Sequence, residues 1–364
     1  MTQKQLLTLE QKRSLPIFFI IARPRSGTTL LRTLFDRHSH VNIPLESPFM
    51  LRYYWKYRDV RNWSREKILE FYHDITDENE PAYLNIRKWT INLEQLREDL
   101  LAMEGNTSYP ELCRVVNASY ESLFPKEEIK VVGDKNPIYS NRAEYLLKMF
   151  PNARFIHMVR DYRDYLQSMM NAGFVKRIEP IIVHRWRKSL NINFKLQKKY
   201  PDRFYYLRYE DLVEDPEKYF GEMCDFLKIP REKQIFDFHK YKEKFLQHYS
   251  DDDLNLYHSK LFKPISNKNV GDWKKKLTAE QVAIAELIAG NTAQKAGYKK
   301  SLKRIPIKTW LKVQPILLYL FATRIIGTLL RSLPHHPSLQ TFIERGPMLG
   351  KKYWDTIKKT SAKS

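Results

Sequence analysis

The stretch "ARPRSGTTLLR" (Ala22–Arg32) follows the apolar run "PIFFIIA" and has the order strand, small-residue turn, helix. Such a turn presents backbone N–H groups and the positive end of a helix dipole to an anion. Gly27 allows close backbone approach, Thr28 and Thr29 add hydroxyls at the helix start, and Arg25 adds a fixed charge with a planar donor fork. A nucleoside-triphosphate loop would read GxxxxGK[ST]; aligned on Gly27, this chain has Ala22 for the first glycine and Thr28 for the lysine. The loop therefore suits an anion but lacks the lysine of a kinase-type loop. A second group lies in "RFIHMVRDYRDYLQS", where a strand is followed by Arg160 and, eight residues on, by Ser168 in the next helix. Ligands of open α/β sheets bind beyond the carboxyl ends of strands, where such an arginine and hydroxyl can converge on one phosphate. Without the other group, each would also read as an ordinary strand-to-helix turn or a surface pair.

Together "PRSGTTLLR" and "VRDYRDYLQS" resemble the two nucleotide-binding segments of sulfotransferases that use 3′-phosphoadenosine 5′-phosphosulfate (PAPS), nearest the tyrosylprotein and carbohydrate branch. The resemblance runs from about Pro16 to Tyr298 and includes "LRYEDLVEDPEKYFGEMCDFLKI" and the late loop "KPISNKNVGDWKKKL". It implies that Arg25, Ser26, Gly27, Thr28 and Thr29 cradle the 5′-phosphosulfate and that Arg160 and Ser168 grip the 3′-phosphate. Tyr209 would lie on the adenine side, with Lys268 and Asn269 closing over the nucleotide and Ser259 nearby. Asp272 stands where some relatives are basic, and Trp273 reads as a packing anchor.

The implied chemistry is in-line transfer of a sulfuryl group from PAPS to an acceptor hydroxyl, without a metal. Arg25 would stabilise the leaving phosphate. Lys135, in "VVGDKNP", resembles the K-x-P lysine that contacts the transferring group. Glu46, 21 residues after Arg25, resembles the general base of the tyrosylprotein branch. That branch has D-x-H-P and an acidic pair; here Asp36 and His38 remain, Ser39 replaces proline, and one acid stands alone. The departure opens the acceptor to a sugar, a lipid-linked group or another small molecule. His38 and His40 are rival bases, and His157 lies inside a strand, where a core role is expected. A kinase-like P-loop enzyme and a non-catalytic, membrane-docked binding protein of the same fold are the alternatives.

Positioning these residues requires a sheet. Short apolar runs predict strands at Ile17–Ala22, Ile129–Gly133, Arg154–Val159 and Arg203–Arg208. Helical spacing lies between them, as in "SREKILEFYHDI" with Ser64 as N-cap, "EQLREDLLAM", "NRAEYLLKMF" and "TAEQVAIAELIAG". The alternation predicts an α/β fold, a P-loop-like parallel sheet flanked by helices. Residues 48–125 show no convincing strand and read as a helical insertion within a domain of residues 16–298, after an N-terminal extension of residues 1–15.

The 364 residues are 43% hydrophobic, enough for a substantial core. Cys113 and Cys224 read as buried thiols rather than a disulfide framework. The polar N-terminus and short apolar run predict no signal peptide, hence a cytoplasmic protein. The formal charge is +21, of which +12 lies in residues 299–364, a basic extension. Neither zinc-finger spacing nor an RNA-binding aromatic motif accompanies the charge, so nucleic acid is not the expected partner. "PILLYLFATRIIGTLLRSLP" (Pro315–Pro334) carries Arg324, Thr328 and Arg331, which with the following His335 fall on one helical stripe. It reads either as an amphipathic helix on the inner face of an anionic membrane or as a helix docked on the protein's own core.

Overall fold

The computed structural model describes residues 7–81, 84–172, 178–241 and 264–331. Five parallel strands form one sheet: β1 (Ile17–Ile21), β2 (Val41–Asn42), β3 (Val131–Lys135), β4 (Arg154–Val159) and β5 (Phe204–Arg208). Their order is β2-β3-β1-β4-β5. The chain leaves central β1 for β2 and β3 on one side, then crosses to β4 and β5 on the other. The strand order reverses at β1, and open α/β sheets bind ligands beyond the carboxyl ends of the strands at such a switch point.

β1 is wholly buried because both faces of the sheet are covered. Its side chains alternate between two cores, as the two-residue period of a strand requires. Ile17, Phe19 and Ile21 join one core; Phe18 and Ile20 join the other with Leu31, Leu34 and Phe35 of the helix Thr28–Arg37. Phe19 stacks on Phe155 with ring centroids 5.4 Å apart. Burying each such side chain contributes about 1.5–3 kcal/mol.

The strand expected at 129–133 runs two residues later. Asp134 and Lys135 are polar, yet both are buried and in register with Phe19 and Ile20 of β1. Gly133 allows this close packing, since a Cβ there would come 2.6 Å from the Phe18 ring. β2 was not expected; two residues are too few to leave an alternating pattern.

Between 48 and 125 the described residues form helices, at Phe49–Arg52, Tyr54–Tyr57, Arg65–Thr76, Leu93–Leu101 and Tyr109–Ala118, and no strand. Ser64 caps the third, its hydroxyl accepting from the Lys67 N–H. These helices pack on the Phe19 side through an aromatic cluster in which Phe71 meets Tyr57 and Tyr109 edge-on at 5.4 and 5.8 Å. The helix Leu9–Ser14 is tied to the same group by a buried Lys12–Asp99 ion pair of 2.5 Å. Cys113 and Cys224 are free and buried.

The chain divides into two units, Met1–Ile305 and Pro306–Ser364. The basic segment after Tyr298 stays with the first, since Glu286 accepts hydrogen bonds from Ser301 and Leu302. In the second, the described residues from Ile307 form one helix to Arg331, with Pro315 inside it. The side chains of Arg324, Thr328 and Arg331, and all of His335 and Ser259, lie outside the described residues.

Candidate active site

The loop after β1 turns on Gly27, which caps the helix Thr28–Arg37 at φ 93°. A Cβ there would fall 2.4 Å from the Tyr209 ring, so glycine is required by both conformation and space. Arg25 is left-handed too, at φ 65°, a strained conformation for a residue with a long side chain. Its backbone is held in place from β4: Arg160 Nη1 donates to the Arg25 carbonyl at 3.3 Å. Ser26 and Thr28 are buried and Thr29 is half-buried at the helix start.

Arg160 and Ser168 both touch Arg25, the first through the Arg25 carbonyl and the second through its side chain. Arg25 Nε donates to Ser168 Oγ at 3.3 Å. The Arg160 guanidinium lies 4.8 Å over the Tyr209 ring and donates through Nη2 to the Asn269 carbonyl at 3.1 Å. The Arg160 carbonyl is held by Trp186 Nε1 at 2.9 Å. Arg160 Nε is buried without a hydrogen-bond partner among the described residues. A buried cationic donor left unpaired, beside a loop that only glycine can form, suits an anionic ligand.

The late loop is fastened by a residue that sequence reasoning did not single out. Asp164, on the helix that carries Ser168, accepts from the N–H of Gly271 at 2.8 Å and of Trp273 at 2.9 Å. Trp273 is buried, with the Arg163 guanidinium 4.0 Å over its ring, as expected of an anchor. Lys268 is exposed on the loop so held.

The other half of the site lies one strand over. Lys135 ends β3, in register with Ile20 near the end of β1, and its ammonium donates to Glu46 Oε1. The lysine side chain is 3% exposed and the glutamate 45%, so the carboxylate is the more open of the pair to solvent and to a reactant. Burial pulls the Lys135 pKa down, and the Glu46 charge works against that pull.

The Glu46 segment is gripped from both sides by residues that spacing did not reveal. Arg32 Nε donates to the carbonyls of Ile43 at 3.1 Å and Pro44 at 3.2 Å. Asn136 Nδ2 donates to the Ser47 carbonyl at 3.1 Å and to Asp134 Oδ1 at 2.6 Å.

The rival histidines lie elsewhere. His40 accepts the Val131 N–H through its carbonyl, at the amino end of β3, whereas Lys135 is at the other end. His38, buried, pairs its ring with the Pro230 carbonyl at 2.8 Å, and burial lowers its pKa. His157 sits inside β4 between Phe194 and Tyr206, and burial holds it down to about 3. His38 and His40 lie toward the amino end of the sheet, and the His157 ring, though level with the end of β1, is shut inside the packed core.

Asp134 supplies a pH-dependent stability term. Burial raises it to about 7, against the pull of Tyr139, Asn136 and Lys135. An unfolded aspartate titrates near about 3.9. Between these values the native state holds the extra proton, so stability falls as pH rises through that window and levels off above it. Asp134→Asn keeps the acceptor for Asn136 without the charge. Its melting temperature is expected to gain on wild type from pH 5 to pH 7 and then hold; a difference independent of pH in thermal melts would refute this account.

A model of the sulfotransferase family matches residues 16–233. The protein-tyrosine sulfotransferase of Drosophila melanogaster is 24% identical over 231 residues, 60% of this chain and 39% of that protein. The omega-hydroxy-beta-dihydromenaquinone-9 sulfotransferase of Mycobacterium tuberculosis is 27% identical over 333 residues, 78% of this chain and 76% of that one. This chain thus spans less than half the length of the fly relative and most of the mycobacterial one. The solved sulfotransferase domain of the Synechococcus PCC 7002 olefin synthase superposes with a TM-score of 0.52 at 20% identity, covering 79% of this chain and 99% of that domain, which shows a common fold. The matched region runs from β1 and its loop through the strand ends that carry Lys135 and Arg160, and the chain belongs to the sulfotransferase family.

Proposed function

We propose that the protein transfers a sulfuryl group from PAPS to the hydroxyl of a small-molecule or lipid-linked acceptor. The observation that carries this reading is the Lys135–Glu46 pair at the end of β3, beside the loop that ends β1 with Arg25. It sets an open carboxylate and a buried ammonium next to an anion cradle.

In the reaction, a bond forms between the acceptor oxygen and sulfur as the bond from sulfur to the nucleotide phosphate breaks. The electron pair goes to the phosphate oxygen, and Arg25 offers that oxygen a charge which it cannot surrender as a proton. Glu46 takes the proton of the acceptor hydroxyl. Lys135, already shared with Glu46, reaches an oxygen of the transferring group. Arg160, with its spare Nε donor, and Ser168 hold the 3′-phosphate against the Tyr209 side of the cleft.

The acceptor class rests on extent of similarity. The relative named for a hydroxylated menaquinone matches across most of both chains, whereas the fly relative named for protein tyrosine matches a smaller part. The test is transfer of labelled sulfate from PAPS to lipid and small-molecule extracts, with the product analysed by mass, alongside calorimetry with the desulfated nucleotide. Labelled lipid or small-molecule product is expected, and nucleotide binding with it. Absence of nucleotide binding would overturn the reading, and label appearing only on protein would overturn the acceptor class.

A further inference from the structure

Among its described residues the helix Ile307–Arg331 exposes several large apolar side chains. Ile307, Trp310, Leu311, Leu318, Phe321 and Ile325 are between 44% and 77% exposed. Their spacing places all six within an arc of roughly 100° on one side of the helix. Soluble surfaces scatter apolar residues singly; six aligned over nearly five turns form a contact face.

Charge says what that face meets. No aspartate or glutamate occurs between Lys299 and Arg331. Lys308 and Lys312 are exposed beside the apolar arc, and Tyr319 is exposed on their side of the helix. Tryptophan and tyrosine, apolar with one polar atom, suit the boundary between headgroups and acyl chains. A second copy would bring like charges to the same face, which disfavours self-pairing. Among the described residues no helix is long and apolar enough to cross a membrane, so a bilayer would be met along the helix rather than through it.

We propose that the helix Ile307–Arg331 is a membrane-surface anchor, lying along an anionic bilayer with Trp310, Leu318 and Phe321 inserted and its lysines at the headgroups. The proposal is independent of the transfer reaction, since none of these residues belongs to the candidate active site.

The test uses the full chain, sedimented with phosphatidylglycerol-containing vesicles and with pure phosphatidylcholine vesicles at low and high salt. Wild type is expected to co-sediment with the anionic vesicles and to be released by salt. The variant Leu318→Glu/Phe321→Glu is expected to lose at least about tenfold in partitioning, since both buried surface and charge oppose insertion. The changed side chains are exposed, so its melting temperature is expected to match wild type. The variant Lys308→Glu/Lys312→Glu is expected to lose the preference for anionic vesicles. Undiminished co-sedimentation of both variants would overturn the proposal. So would failure of wild type to bind vesicles, including the case where sedimentation velocity shows the apolar face buried in a dimer that Leu318→Glu/Phe321→Glu disrupts.

Discussion

Arg25→Ala is expected to lower kcat for sulfuryl transfer by about 10²–10³-fold, the usual cost of removing one donor that faces developing charge. Three observations make this residue expensive to lose. It occupies a left-handed backbone conformation, its carbonyl is tied to Arg160, and its Nε is tied to Ser168. A strained residue held this firmly offers its charge at one place without reorganisation. Nucleotide affinity is expected to fall too, though by less, because the charge on the leaving oxygen is greatest in the transition state. The split between kcat and nucleotide affinity is therefore the readout. Arg25→Lys, which keeps the charge but not the fork, is expected to recover part of kcat. Equal losses in affinity and kcat would make Arg25 a binding residue only, and unchanged kcat in Arg25→Ala would remove it from the reaction. Circular dichroism distinguishes either outcome from misfolding of the loop.

How much of this was legible in the sequence differs by residue. β1 and its loop announce themselves, because an unbroken apolar run meets a glycine that the local geometry demands. The limits of β4 are plain in the sequence, since the apolar run Arg154–Val159 is preceded by turn residues and followed by Arg160. The apolar run of β3 ends two residues before the strand does, because its last residues, Asp134 and Lys135, look like loop residues and are buried only through tertiary context. The same context hid Arg32, Asn136 and Asp164. Each acts on backbone groups outside its own element, Arg32 on carbonyls 11 and 12 residues on and Asp164 on N–H groups 107 and 109 residues away, and no local pattern encodes such pairings. His40 shows the converse. Its closeness to Glu46 in sequence made it a rival base, but the helix Thr28–Arg37 first returns the chain to the amino edge of the sheet. Only after β2 does the chain come back to the edge where Glu46 meets Lys135.

Glu46→Gln is expected to lower kcat by about 10²–10⁴-fold, the contribution of a positioned general base. Glutamine is the informative replacement. It keeps an oxygen to accept from Lys135, which is buried and would otherwise lose its partner, yet it cannot take the acceptor's proton. Nucleotide affinity is expected to stay at the wild-type value, because the carboxylate belongs to β3's side of the cleft rather than to the Arg25 and Arg160 cluster. Lys135→Met provides the second arm. Lysine and glutamate act on one reacting centre, so the double variant is expected to be far less impaired than the product of the single losses. Multiplying losses would mean that the two side chains work on separate steps. Wild-type turnover in Glu46→Gln would sink the base assignment. Among the described residues His38, His40 and His157 offer no replacement, since the first two lie toward the amino end of the sheet and the third is buried between Phe194 and Tyr206. In that event the proton would have to leave to solvent, and turnover of wild type and Glu46→Gln would share one pH profile. With Glu46 as base, the variant is expected to lose most of the rate at every pH.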